Sequence, residues 1–257
     1  MNLRHWLGPL GRYRPGLLRH NMATGFQNCD WRSLPGWTHL PGLRSPEERL
    51  LESLPLEGRV VFDVGAFNGA YSLFFSQKVG QRGRVVAFEP RAAGFALLVA
   101  NLERNLVQNV LPLQIALGAE PGARTIFMLP GMPTTASLAA EARTPLRRAS
   151  GTAQIESLDA LMSGVPLPAP HFIKIDVEGF EMEVLQGASG TLSAHHPDLL
   201  IEVHGTGTTH KNARAEAIRC LLQPLGYSLL HTETGIRIGT GVSIPASGHL
   251  FAHAAAG

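Results

Sequence analysis

Apolar and polar positions alternate along the chain in blocks that switch between strand and helix periods. Val60-Val61-Phe62 is a buried run that ends at Asp63-Val64-Gly65, and Ala70-Tyr71-Ser72-Leu73-Phe74-Phe75 resumes the apolar pattern at helical spacing. Arg84 to Phe88 is a second run, closed by Glu89-Pro90, and Ala92 to Asn105 carries a helical stripe at Phe95, Leu98, Val99 and Leu102. Val110 to Leu117 supplies a third strand, Phe172 to Asp176 a fourth and Leu199 to His204 a fifth. Helices are expected from Phe180 to about Leu192 and from Asn212 to Leu222, with Tyr227 to His231 and His249 to His253 as the last two strands. Ahead of them, Ser45 stands as N-cap to a helix with Pro46 at its first position and acids in its first turn. Strand and helix in alternation predict a parallel sheet with right-handed crossovers. Between the third and fourth strands, Gly122 to Leu129 reads as an additional strand, Pro130 to Leu138 as a loop long enough to cross a site, and Ala139 to Ser150 as exposed chain.

Chemistry concentrates where the strands end. Gly65 and Gly69 are four apart in the turn after the first strand, a spacing that departs from the G-x-G-x-x-G of dinucleotide-binding turns. Glu89 follows Asp63 by 26 positions, at the end of the second strand, where a carboxylate can accept both hydroxyls of a ribose. Asp63 beside the loop would repel phosphates but attract a cationic amino group and a sulfonium, so S-adenosylmethionine suits this turn better than a pyrophosphate.

Composition sets outer limits. A chain of 257 residues, 44% hydrophobic, can bury one α/β core with an extension. The formal net charge of +2 hides an asymmetry: the first fifty residues hold seven arginines against Asp30, Glu47 and Glu48. That stretch, rich in Gly and Pro and holding Trp6, Trp31 and Trp37, lacks the interleaving of a nucleic-acid module and is expected to be an arm or lid over residues 1–45, ahead of a catalytic domain at 46–257. Cys29 and Cys220 form no disulfide or metal pattern. Glycines and prolines break the N-terminal apolar runs, and no stretch has eighteen uninterrupted apolar residues, so no membrane span and a cytoplasmic location are expected.

The run Ile173-Lys174-Ile175-Asp176-Val177-Glu178-Gly179-Phe180-Glu181-Met182-Glu183-Val184-Leu185-Gln186-Gly187-Ala188 resembles the signature of the FkbM family of S-adenosylmethionine-dependent methyltransferases. Asp63-Val64-Gly65-Ala66, Phe88-Glu89-Pro90, Ala116-Leu117-Gly118, Ser137-Leu138, Ser157-Leu158-Asp159 and Glu202-Val203-His204 match in the same order. The resemblance implies a class I methyltransferase fold: a Rossmann-like three-layer α/β sandwich on a seven-stranded, mostly parallel sheet, its last strand antiparallel. It further implies Asp63, Gly65, Ala66, Asn68 and Gly69 at the methionine moiety, Glu89 at the ribose and Ala116 at the adenine rim. Phe67 stands where the family more often has Asn, which leaves open the side chain that faces the cosubstrate.

The activity so implied is O-methylation of a hydroxyl on a sugar, a glycan or another natural product. Such a transfer is an in-line displacement helped by positioning and by removal of the acceptor's proton. His204 and Asp176, at the ends of neighbouring strands, are expected to share the acceptor hydroxyl, with His204 as base because an ordinary imidazole is partly neutral near pH 7. Glu178 is the third catalytic candidate, while Glu181 at a helix start suits a structural role. Asp176, Glu178 and a third oxygen could hold a divalent cation, but no spacing marks one and no metal site is assigned. The alternatives are a noncatalytic cosubstrate-fold module, against which Asp63, Glu89, Asp176 and His204 stand together, and a nicotinamide-dependent oxidoreductase, for which the glycine fingerprint and a Tyr-x-x-x-Lys pair are missing.

Overall fold

The computed structural model describes residues 45–140, 143–205, 207–243 and 248–254. The Arg-rich arm, with its three tryptophans and Cys29, lies outside the described residues. The chain begins with α1 (Pro46–Ser53), closed at its start by a reciprocal capping box in which Ser45 Oγ accepts from Glu48 N–H at 3.1 Å and Glu48 accepts from Ser45 N–H at 2.8 Å. There follow β1 (Val60–Val64), α2 (Ala70–Val79), β2 (Arg84–Phe88), α3 (Ala92–Arg104) and β3 (Val110–Leu113). Next come β4 (Ala116–Leu117), β5 (Gly122–Leu129), β6 (Met132–Ser137), β7 (Arg148–Glu156) and α4 (Leu158–Gly164). The remainder is β8 (Phe172–Ile175), α5 (Glu181–Gln186), α6 (Ser189–His195), β9 (Asp198–Glu202), α7 (Gly207–Leu222), β10 (Tyr227–His231), β11 (Ile236–Arg237) and β12 (His249–Ala254).

The main sheet has the order β11-β10-β12-β9-β8-β1-β2-β3. Strands β3, β2, β1, β8 and β9 are mutually parallel, and β12 runs antiparallel between β9 and β10. This is the class I methyltransferase arrangement expected from the sequence. It carries eight strands rather than seven because the two-residue β11 pairs onto the edge of β10. Side chains alternate across it: Phe62 and Val64 of β1 join the large cluster with α4 to α7, whereas Val61 packs with α1 and α2. Leu73 of α2 meets Leu98 and Leu102 of α3 on that second side. Helices therefore cover both faces of the sheet.

Four expectations change. Ala139 to Ser150, expected as exposed chain, begins at a buried Ala139 and ends inside β7, which starts at Arg148 and pairs with β5. The run Val110 to Leu117 is not one strand: β3 ends at Leu113 in the main sheet, and β4 pairs instead with β7 in a second, four-stranded sheet of order β4-β7-β5-β6. The stretch expected as a crossing loop is mostly β6, which returns antiparallel to β5 after a turn at Gly131, whose φ is +74°. The helix expected from Phe180 to Leu192 is two. Asp159 accepts from the N–H groups of Gly190 and Thr191 and from Thr191 Oγ1, at 2.8, 2.7 and 2.7 Å, which starts α6 afresh after Gly187. A Cβ on Gly187 would lie 1.9 Å from the Gly118 carbonyl, so the backbone of this break packs directly on the turn after β4.

Candidate active site

A cavity of about 280 Å³ opens at the carboxyl ends of β1, β2, β8 and β9, beside the point where strand order reverses between β1 and β8. Open α/β sheets bind ligands at that crevice. Its walls come from Gly65 and Phe67 after β1, Phe88 and Glu89 at the end of β2, Asp176 and Glu178 after β8, and Glu202 of β9. The second sheet closes the remaining side with Ala116 and Leu117 of β4, Ile126 of β5 and Ala136 of β6.

The turn after β1 is shaped by three left-handed residues, Gly65, Phe67 and, at the start of α2, Gly69. Gly65 has φ +86°, and a Cβ there would stand 1.8 Å from the Asp176 carbonyl oxygen, so only glycine lets the turns after β1 and β8 touch. Phe67 has φ +47°, a conformation costing a side-chain-bearing residue roughly 1–2 kcal/mol. Its N–H donates to Glu89 Oε2 at 3.0 Å, while Arg91 N–H donates to Oε1 at 2.8 Å. Glu89 is thus clamped by backbone at the cavity wall. Burial pushes its carboxyl up to about 6, and the two N–H bonds and the Arg91 charge offset only part of that rise.

The expected cosubstrate residues separate into two groups. Gly65, Glu89 and Ala116 line the cavity. Ala66, Asp63, Asn68 and Gly69 stand behind it: Asp63 is fully buried with Oδ2 accepting from Ser72 Oγ at 2.6 Å, Asn68 Oδ1 accepts from Ala70 N–H at 3.3 Å, and Gly69 is the N-cap of α2 against Leu98. The left-handed turn carries Phe67 onto the wall and Asn68 onto α2, which settles the placement of these two side chains.

At the other end of the cavity the sheet carries a dense set of charges. Lys174, 2% exposed, donates from Nζ to Asp176 Oδ2 at 3.0 Å and lies over the Tyr71 ring at 4.1 Å from its centroid. Burial opposes the Lys174 charge, but Asp176, Asp63 and Glu47 outweigh it and hold the ammonium above its ordinary pKa. Burial works against Asp176 as well, yet the Lys174 and His204 charges keep that carboxyl below its usual range. Glu178 sits at φ +53°, its carbonyl accepting from Ser137 Oγ at the end of β6, and burial raises its carboxyl.

His204 is oriented from behind. Its Nδ1 is 2.8 Å from Glu181 Oε1; Glu181 is 1% exposed and also accepts from Gly179 N–H at 2.8 Å and from Arg214 at 3.2 Å. Its Nε2 faces Glu202, Glu178 and Asp176 at 3.6, 3.7 and 3.8 Å. Burial disfavours the imidazolium, but the Glu181 bond and the surrounding carboxylates overcome it and raise the pKa to about 9. The partly neutral imidazole expected from the sequence is therefore replaced by a cation in the free protein at pH 7, and its cause is the four acids around it. Glu202, which the sequence offers only as a neighbour of His204 and not as a catalytic candidate, shares one face of the strand end with it through their period-2 relation. Glu181 positions His204, which refines the structural role expected of it.

Residues 63–229 match the model of the methyltransferase FkbM domain. The chain belongs to this family. It is 30% identical over 185 residues to methyltransferase 1 of Beauveria bassiana, covering 66% of this chain and 72% of that one. It is likewise 30% identical over 157 residues to the hexuronic acid methyltransferase AglP of Haloferax volcanii, covering 61% of this chain and 60% of the relative. Among solved structures, methyltransferase FkbM from Methylobacillus flagellatus superposes with a TM-score of 0.52 at 18% identity, over 79% of this chain and 45% of that one. The fold and the FkbM assignment thus agree. No helix among the described residues is long and apolar enough to cross a membrane.

Proposed function

We propose that the protein is an S-adenosylmethionine-dependent O-methyltransferase acting on a hydroxyl of a sugar, glycan or related natural product. The observation that carries the reading is one cavity, at the switch point of a class I methyltransferase sheet, walled by a backbone-clamped Glu89 after β2 and by Asp176, Glu178 and Glu202 after β8 and β9, with His204 standing behind these three acids. The residues present fit the cosubstrate: Glu89 retains acceptor capacity on both oxygens for a ribose diol, Ala116 and Leu117 offer an apolar wall to a base, and the carboxylates favour a cationic centre. S-adenosylmethionine held by these residues would supply an electrophilic methyl group on a sulfonium, with the neutral thioether as leaving group.

The chain's own groups position the acceptor and take its proton. Glu178 is on the wall with a raised carboxyl, and as a base it accepts the hydroxyl proton, while His204, held by Glu181, keeps the negative charges of Asp176 and Glu202 together. Asp176, fixed by Lys174, orients the hydroxyl. The sugar class rests on the relative from Haloferax volcanii, whose name specifies a hexuronic acid.

Calorimetric titration with S-adenosylmethionine, S-adenosylhomocysteine and, as control, NAD tests the cosubstrate. Micromolar binding of the first two and none of NAD is the expected result; binding of NAD alone would return the fold to the oxidoreductases. Transfer of a labelled methyl group to a panel of hexuronic acids, neutral sugars and polyketide hydroxyls then assigns the acceptor.

A further inference from the structure

We propose that His204, Asp176 and Glu202, with Glu178 beside them, form a binding site for a first-row divalent cation in the range from manganese to zinc. The proposal rests on the reading of this sheet edge as the acceptor end of the cavity. Nothing in the spacing of these residues along the chain brings them together; the parallel pairing of β8 with β9 does.

The distances carry the inference. A hydrogen bond from an imidazole would draw its acceptor to about 2.7–3.2 Å. His204 Nε2 instead faces oxygens of Glu202, Glu178 and Asp176 at 3.6, 3.7 and 3.8 Å, and none of the three bonds to it directly; a cation seated there would replace the Nε2 proton, which leaves to solvent, while Nδ1–H stays on Glu181. Ligands about 2.0–2.2 Å from a tetrahedral ion stand about 3.3–3.6 Å apart, so a cation seated among these atoms would need only small closing movements. One donor atom each from Asp176, Glu202 and His204 already lies within 4.8 Å of the others.

The surroundings match a metal site as well. A ligating histidine typically gives its second ring nitrogen to a carboxylate, which sets tautomer and direction. His204 Nδ1 is 2.8 Å from Glu181, itself anchored by Arg214 and the Gly179 N–H on the far side from the cluster. Asp176 is fixed in the same way, through Lys174 at 3.0 Å on its Oδ2, which leaves Oδ1 toward His204. One imidazole among carboxylates disfavours Ca²⁺ and Mg²⁺, which take oxygen ligands, and suits Mn²⁺, Fe²⁺ or Zn²⁺. Because Asp176, Glu178 and Glu202 also line the cavity, the ion's open positions would face the acceptor and polarise its hydroxyl, the proton still passing to a carboxylate of the site. Acceptors presenting two adjacent oxygens, a vicinal diol or a hydroxy acid, are the class such an ion would favour, and an anionic acceptor would otherwise meet a wall of carboxylates.

Mn²⁺ is the probe. The full-length protein, stripped with a chelator, is titrated with MnCl₂ and followed by electron paramagnetic resonance and calorimetry, with pulsed measurements of nitrogen coupling. One Mn²⁺ per chain at micromolar affinity, with coupling to one imidazole nitrogen, is expected. Glu202→Gln and His204→Gln should each weaken it at least tenfold, and His204→Gln should abolish the nitrogen coupling, while Glu216→Gln on the outer face of α7 leaves both unchanged. Several millimolar ions without nitrogen coupling, or equal affinity in all variants, would overturn the proposal. S-adenosylmethionine titrated into the same samples separates the two failures: cosubstrate binding without Mn²⁺ binding removes the metal alone, and Mn²⁺ binding without cosubstrate removes the reading on which its role rests.

Discussion

Burial alone would leave Glu89 a poor ligand near neutrality, and the two backbone N–H groups that hold it are what keep its carboxyl at about 6. A ribose diol donates to the ionised form, so protonation competes with binding. If Glu89 holds the ribose as proposed, affinity for S-adenosylmethionine should be full above pH 7 and be lost as pH falls through about 6, the reverse of a site that uses a raised cation. Titration calorimetry should show about tenfold weaker binding one unit below that value, since only about a tenth of the carboxylate remains. Glu89→Gln should bind weakly at both ends of the range and show no such slope. At this scale the sequence was legible where residue type and strand end coincide: Glu89 and Asp176 both stand on the cavity wall. It did not reveal that Phe67 rather than Asn68 faces the cavity, because a positive φ at a phenylalanine follows from contacts with Glu89 and not from local preference. Nor did it reveal the charge of His204, which depends on Asp176 and Glu181 from the stretch after β8 as well as on its neighbour Glu202.

Elements with their own apolar run were read correctly from the chain: β1, β2, β8 and β9 each bury most of their side chains. Those that exist only through distant pairing were not. The two-residue β4 depends on β7, and β6, with Pro133-Thr134-Thr135 at its centre, has no alternation to announce it and forms against β5. The division of α5 from α6 likewise depends on Asp159, some thirty positions upstream, whose side chain accepts three hydrogen bonds at the start of α6. Asp159→Ala removes all three and should destabilise the protein by about 1–2 kcal/mol. Chemical denaturation measures that loss. The affinity for S-adenosylmethionine in the same variant should stay within about twofold of wild type, because Asp159 is absent from the cavity wall and acts on helix packing behind it.

For the whole molecule, the order β9-β8-β1-β2-β3 assigns the two halves of the cavity to different halves of the sheet. Glu89, Phe67 and Ala116 belong to the β1, β2 and β4 side, and Asp176, Glu178 and Glu202, with His204 against them, to the β8 and β9 side. Gly65 is the joint, since its lack of a side chain lets the turn after β1 rest on the Asp176 carbonyl. If cosubstrate and acceptor divide along this line, their energetics should separate too. Glu89→Gln turns two charge-assisted bonds of about 1.5–3 kcal/mol each into neutral ones of about 0.5–1.5 kcal/mol, a loss of about 2–3 kcal/mol in all, so the dissociation constant for S-adenosylmethionine should rise between about 30-fold and 150-fold. Glu178→Gln keeps the size of the side chain and the left-handed turn but removes the proton acceptor. It should leave that constant within about twofold while lowering kcat about a hundredfold or more, in the range typical of general bases. In the double variant the two effects should add, as expected of sites that share no partner. Isothermal titration for binding and single-turnover methyl transfer for the chemical step measure them independently. Loss of cosubstrate binding in Glu178→Gln would show that the carboxylates after β8 serve the methionine end of the ligand, and the proton acceptor would then have to come from Glu202.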